Sequence, residues 1–263
     1  MTAPLLVTGG TGTIGSRVVP MLREAGREVR IFTRHPLAAE PGIEQVEGDT
    51  VTGRGLTEAL VGVEVVLHLA GGAKGDDVAA RSLAAAAANG TSVQHLILIS
   101  VVGADRMPIG YFRAKKEAER AFAESGVPYT VLRAAQLHEF VLPIIRGMAR
   151  LPLLPVPGGL RFEPVHVDEV AARLTELALG EPAGRVPDIA GPEVLGIRQL
   201  VDAFRDATDA RRRRGVPIRV PGTVGRAYRV GDNLAKDRVL RGERTWRQFL
   251  GESNPAEHER MTR

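Results

Sequence analysis

The run Val7-Thr8-Gly9-Gly10-Thr11-Gly12-Thr13-Ile14-Gly15 is the part of this 263-residue chain whose spacing points most directly to chemistry. It reads as G-x-x-G-x-x-G from Gly9 and equally as G-x-G-x-x-G from Gly10. Binding a pyrophosphate needs a tight turn, a backbone that a ligand can approach without meeting Cβ atoms, and N–H groups at the start of a helix, where the dipole favours anions. Gly9, Gly12 and Gly15 meet those needs, with Thr11, Thr13 and Ile14 between them, provided that a strand precedes the run and a helix follows it.

Two further groups extend this reading. Dinucleotide loops choose their cofactor where the second strand ends, and here that end reads Ile31-Phe32-Thr33-Arg34-His35, without the acid that takes the ribose hydroxyl of NAD. Arg34 offers a guanidinium fork to a 2′-phosphate, so NADP(H) is favoured over NAD(H). Asp49, in Glu47-Gly48-Asp49-Thr50, has two readings: a contact to the adenine amino group or an ordinary turn Asp. Tyr111 and Lys115 stand four residues apart, which puts them on one helix face a turn apart. A phenol exchanges protons poorly near pH 7, and an ammonium beside it favours the phenolate and draws the pKa toward working pH.

The elements that must position these groups follow from the alternation of short aliphatic runs with amphipathic segments, the sign of βαβ units and a parallel sheet. Strands are expected at Leu5–Thr8, Glu28–Phe32, Ile43–Glu47, Val63–Leu69, His95–Ser100 and Tyr129–Leu132, with another near Val186–Ala190. Helices are expected at Ile14–Ala25, Gly55–Leu60, Asp77–Ala88, Ile109–Glu124, Glu169–Leu179 with Asp168 as N-cap, and Ile197–Ala207. Beyond Arg133 the pattern loosens into Pro- and Gly-rich sequence, which reads as substrate-lobe material. The expected fold is α/β: one doubly wound parallel Rossmann sheet over residues 1–263, with roughly 134–183 and 192–263 forming a small C-terminal substrate lobe. Gln136 and His138, just past the sixth strand, fall at the carboxyl ends of the strands, where substrates bind.

Composition narrows the chemistry. There is no Cys, so no thiol nucleophile, disulfide or thiolate metal site is available, and the six His show no ligand spacing; no metal is expected. Apolar residues make up 44% and charged residues 25%, and no run approaches the roughly 20 apolar residues that a membrane helix requires. No export signal is read at Met1-Thr2-Ala3-Pro4, so a cytoplasmic location is expected, with neither membrane nor nucleic-acid partner. The net charge is only +4, and Arg211-Arg212-Arg213-Arg214 reads as a solvated loop.

The glycine run, Leu69-Ala70-Gly71 after the fourth strand and the Tyr111–Lys115 pair resemble the atypical short-chain dehydrogenases/reductases, and in particular their NmrA-like NAD(P)H-binding group. Further landmarks are Leu132-Arg133-Ala134-Ala135-Gln136, the segment Phe162–Ala171 and Thr245-Trp246-Arg247-Gln248-Phe249-Leu250. The resemblance implies that Tyr111 is the general acid, that Lys115 tunes it and holds the nicotinamide ribose, and that Ser100 orients a carbonyl. It also implies that Leu69, Ala70 and Gly71 line the cofactor. Two departures stand out: Ser100 precedes Tyr111 by only 11 positions, and His68-Leu69-Ala70-Gly71 replaces the group's Asn-rich segment. His68 reads as a packed residue. The implied activity is NADPH-dependent reduction of a carbonyl, enone or quinone of a small organic molecule by a monomer or homodimer. A catalytically silent NADP(H) sensor and a redox-neutral epimerase-type enzyme stand as alternatives.

Overall fold

The computed structural model describes residues 3–36, 42–72, 75–211 and 214–252. Arg212 and Arg213 of the arginine run lie outside the described residues. In chain order the first elements are β1 (Leu5–Thr8), α1 (Gly15–Glu24), β2 (Val29–Thr33), β3 (Ile43–Glu47), α2 (Leu56–Ala59) and β4 (Val65–His68). They are followed by α3 (Asp76–Ala88), β5 (His95–Val101), α4 (Gly110–Ala123), β6 (Tyr129–Ala134), α5 (His138–Ala149), β7 (Leu154–Pro157), β8 (Arg161–Phe162) and α6 (Val167–Leu179). The chain continues through β9 (Gly184–Arg185), β10 (Asp188–Ala190), β11 (Leu195–Gly196), α7 (Ile197–Ala207) and β12 (Gly215–Ile218). It ends with α8 (Gly222–Val230), β13 (Val239–Arg241) and α9 (Trp246–Glu252).

Two compact units are formed. The first comprises Met1–Asp105, Gly110–Arg133 and Val167–Val186. Its strands run β6-β5-β4-β1-β2-β3, with parallel pairing of β1 to both β2 and β4, so that Leu5 stands opposite Val29 on one side and Val65 on the other. This is the doubly wound order, in which the chain reverses direction beside β1 and opens a crevice at the carboxyl ends of β1 and β4. All four residues of β1 are buried because helices cover both faces of a parallel sheet. The core beneath gathers Leu6, Phe32, Leu56, Leu60, Leu83, Leu96, Phe122 and their neighbours. The alanine-rich face of α3 lets it pack closely against α4.

The second unit comprises Arg106–Ile109, Ala134–His166 and Pro187–Arg263. Within it Ile189 of β10 pairs with Ala134, and β10 runs parallel to β13. Val141, Ile145, Leu200, Val201, Trp246, Phe249 and Leu250 form its core. Two expectations are corrected here. The stretch read as loosely organised contains α5, whose buried positions His138, Val141 and Ile145 follow helical spacing despite Pro143. Apolar periodicity outweighs the single backbone hydrogen bond that the proline forgoes. In the first unit, α6 begins at Val167, so Asp168 lies in its first turn rather than capping it, and contacts Arg17 at 3.3 Å.

Candidate active site

The glycine run leaves β1 and enters α1, the context that its chemistry requires. Gly9 has φ +71°, and a Cβ there would stand 2.6 Å from the Ala70 nitrogen, so the loops after β1 and β4 touch backbone to backbone. At Gly15 a Cβ would run into the Gly9 carbonyl oxygen. Gly12 is different: its Cβ would meet only Gly9 O, at 3.3 Å, and otherwise faces open space. The Gly12 N–H closes the turn onto Gly9 O at 3.0 Å, while the N–H groups of Thr13 and Ile14 have no backbone acceptor among the described residues. Gly9 and Gly15 therefore shape the loop, and Gly12 leaves its outer side clear.

The loop after β4 is clasped to β1. Leu69 N–H donates to Thr8 O at 3.0 Å, Ala70 N–H donates to Thr8 Oγ1 at 3.3 Å, and that hydroxyl contacts His68 Nδ1 at 2.7 Å. Burial, and secondarily the charge of Lys115, pushes the His68 imidazole down to about 3, so the ring is neutral. His68 is packed, as its aliphatic surroundings suggest.

Tyr111 and Lys115 share one face of α4, with the Lys115 ammonium 6.0 Å from the Tyr111 ring centroid. A Cβ on Gly71 would lie 3.3 Å from Lys115 Nζ, which places the ammonium beside the loop after β4. Lys115 also contacts Asp76 Oδ2 at 2.8 Å, with both side chains buried. The expected lowering of the phenol does not occur in this arrangement. Tyr111 is 38% exposed as a residue, yet its phenol is pushed up to about 12, first by burial and second by the negative charge of Asp76. Sequence reasoning missed Asp76; its signal was the Asp76-Asp77 pair that opens the helix after the cofactor loop.

Other candidates fall elsewhere. Ser100 is committed to a buried network, its Oγ donating to Glu119 Oε1, while Glu119 grips Arg133 through both oxygens at 2.7 Å and Arg133 Nη1 meets Asp105 at 2.8 Å. Glu119 lies two turns past Tyr111 on α4, so in this geometry the Ser100 hydroxyl is directed to that carboxylate. His138 is fully buried in the second unit, stacked on Phe249 at 4.8 Å and 5.6 Å from Trp246; it lines no surface, contrary to the expected substrate contact. Gln136 is partly buried, with its Oε1 lacking a hydrogen-bond partner among the described residues. Arg34 is exposed just past β2. Asp49 accepts the Val51 N–H at 2.7 Å, the geometry of a turn Asp.

With this geometry in view, comparison with known proteins is decisive about kinship. A family model described as NAD(P)H-binding matches residues 9–142, from the first glycine of the loop into α5. The chain belongs to the NAD(P)H-binding family. Two relatives carry the likeness further along the chain. A (4-alkanoyl-5-oxo-2,5-dihydrofuran-3-yl)methyl phosphate reductase of Streptomyces griseus is 31% identical over 74% of this chain and 70% of its own length. An NAD(P)H azoreductase of Xenophilus azovorans is 32% identical over 82% of this chain and 75% of its own length. In fold, the chain is similar to a NADPH-dependent quinone oxidoreductase of Escherichia coli solved with NADPH, with a TM-score of 0.76 at 20% identity, covering 95% of this chain and 99% of that one. The NmrA-like resemblance read from the motifs agrees with these relatives.

For an NAD(P)H-binding protein the loop has a suitable form: Gly12 is open on one side, two N–H groups at the head of α1 are unengaged, and a buried ammonium stands beside Gly71. These features suit a pyrophosphate and a ribose, so a nicotinamide dinucleotide fits the residues present. No described helix is long and apolar enough to cross a membrane.

Proposed function

We propose that this NAD(P)H-binding chain is an NADP(H)-dependent reductase that protonates, from Tyr111, a carbonyl, enone or quinone oxygen of a small organic molecule. The observation that carries the reading is the placement of Lys115 between Tyr111 and Gly71 of the cofactor loop. Gly12, Thr13 and Ile14 would hold the pyrophosphate, Leu69 to Gly71 and Lys115 the nicotinamide ribose, and exposed Arg34 the 2′-phosphate that selects NADP(H). When bound in reduced form, that cofactor supplies a hydride.

Tyr111 holds the matching proton on its hydroxyl. A phenol pushed up to about 12 keeps that proton across the physiological range and releases it only when negative charge builds on an oxygen in contact with it. Lys115 steadies the phenolate that results, and solvent returns the proton. Gln136 of the second unit keeps an Oε1 without a hydrogen-bond partner among the described residues, which suits a polar ligand contact, whereas fully buried His138 does not. The reductase names of the Streptomyces and Xenophilus relatives support the reaction class.

The test follows NADPH oxidation at 340 nm against a panel of carbonyls, enones and quinones. Tyr111→Phe should leave NADPH affinity within a few-fold and slow single-turnover hydride transfer by about 10² to 10⁴. Undiminished transfer would remove the acid role. The commitment of Ser100 to Glu119 favours a second reading, a sensor that binds NADP(H) without turnover. Tight binding with no oxidation of any acceptor would select it.

A further inference from the structure

Asp76 has no part in the roles assigned above, yet its carboxylate is among the most deliberately placed groups in the first unit. It opens α3 and is 5% exposed. Its Oδ1 accepts the Gly72 N–H at 2.8 Å, and its Oδ2 lies 2.8 Å from Lys115 Nζ. The ammonium donates a longer bond to Ile99 O at 3.4 Å. The contact with Oδ2 is an ion pair, and the hydrogen bond that Nζ makes runs to the Ile99 carbonyl. Gly71 closes over the pair, since a Cβ there would lie 3.3 Å from Nζ and 3.5 Å from Asp76 Oδ2.

We infer that Asp76 is a positioning residue of the Tyr111–Lys115 site, fixing the Lys115 ammonium against Gly71 and offsetting its charge. The inference rests on the reading of Tyr111 and Lys115 as the acid pair. A charge removed from water is costly unless an opposite charge stands against it, and Asp76 is the carboxylate that meets the buried Lys115 ammonium. The same carboxylate repels a phenolate at Tyr111, which makes the strength of the acid a property of three residues rather than two. Among the described residues, the charged groups that act on the phenol are Asp76 from α3 and Lys115 from α4; His68 of β4 and the Ile99 carbonyl of β5 bear on Lys115.

The experiment needs neither cofactor nor turnover. Phenol ionisation is followed by absorbance at 295 nm against pH in the full-length chain, with the Tyr111→Phe trace subtracted to isolate Tyr111. Asp76→Asn should move the Tyr111 titration down by about one unit or more, because a repelling charge is lost and Lys115 is no longer offset. Asp76→Glu should restore most of the difference. A role confined to packing would change thermal stability and leave the titration in place, and that result overturns the inference.

Because Asp76→Asn leaves an ammonium unpaired in the interior, its folding is checked by circular dichroism. The charge-balanced double variant Asp76→Asn/Lys115→Met serves if the single one does not fold. It is compared with Lys115→Met, from which it differs only in the carboxylate: its phenol should titrate below that of Lys115→Met, and coincidence of the two overturns the inference just as firmly. Failure of every substrate to oxidise NADPH would count against the reductase reading alone, since the titration is independent of it.

Discussion

Ser100→Ala should cost stability and leave turnover nearly untouched. The hydroxyl is buried and gives its proton to Glu119, an acceptor that keeps both of its bonds to Arg133 after the substitution. Hydrogen bonds to charged groups contribute about 1.5–3 kcal/mol, and the remaining Arg133 bonds place the loss near the lower end, at about 1–2 kcal/mol. At roughly 2–4 °C per kcal/mol for a chain of this size, Tm should fall by about 2–8 °C. Glu119→Gln should be much worse, about 3–5 kcal/mol, because it weakens the pairing of a buried guanidinium. Calorimetry gives the first quantity, and single-turnover NADPH oxidation gives the second, which should stay within about threefold of wild type. A Ser100→Ala protein with unchanged Tm and hydride transfer reduced by about 10² or more would show that the hydroxyl acts on substrate.

Three further outcomes follow from the site and the second unit. Gly12→Val should abolish NADPH binding in a folded protein, since its side chain would fill the open side of the loop, whereas Gly15→Ala should damage the loop itself; equal NADPH affinity in Gly12→Val and wild type would place the ligand elsewhere. Arg34→Asp should weaken NADPH binding by on the order of 1.5–3 kcal/mol or more and NADH binding less, and equal affinities of the wild type for the two cofactors would sink the NADP(H) assignment. Burial, with the charge of His166 next, pushes His138 down to about 4, so its folded form resists a proton that the unfolded chain accepts. The stability this protects is complete above about pH 6.5 and is lost as pH falls toward 4. His138→Phe should flatten that part of the Tm–pH curve, and an unchanged slope would argue against the assignment.

Much of the first unit was legible because its signals are local. Leu5–Thr8 is a four-residue apolar run followed at once by glycines, and both the strand and the turn follow from adjacent residues. Tyr111 and Lys115 are likewise a helical spacing that any amphipathic segment would preserve. What stayed hidden depends on partners far apart in the chain. The commitment of Ser100 to Glu119 spans 19 residues, and Arg133 closes the same network from another strand. Burial of the phenol, and after it the charge of Asp76 paired with Lys115, reverse the direction of the shift expected from the Tyr–Lys spacing alone. His138 was placed correctly in sequence, just past β6, but its burial is decided by Trp246 and Phe249, more than a hundred residues away. Strands such as β8 and β11, two residues each, are too short to carry any periodicity.

The single tryptophan of the chain gives the second unit a spectroscopic voice of its own. Trp246 is almost wholly enclosed, donates its indole N–H to Leu200 O at 3.2 Å and lies beside His138. Its fluorescence therefore reports on this unit alone, and an imidazolium forming next to it is a ready quencher. Emission from Trp246 and absorbance of tyrosine residues in the first unit, followed through the same denaturation, would be separate clocks. The interval between them would measure how tightly the two halves of this molecule are coupled as they come apart.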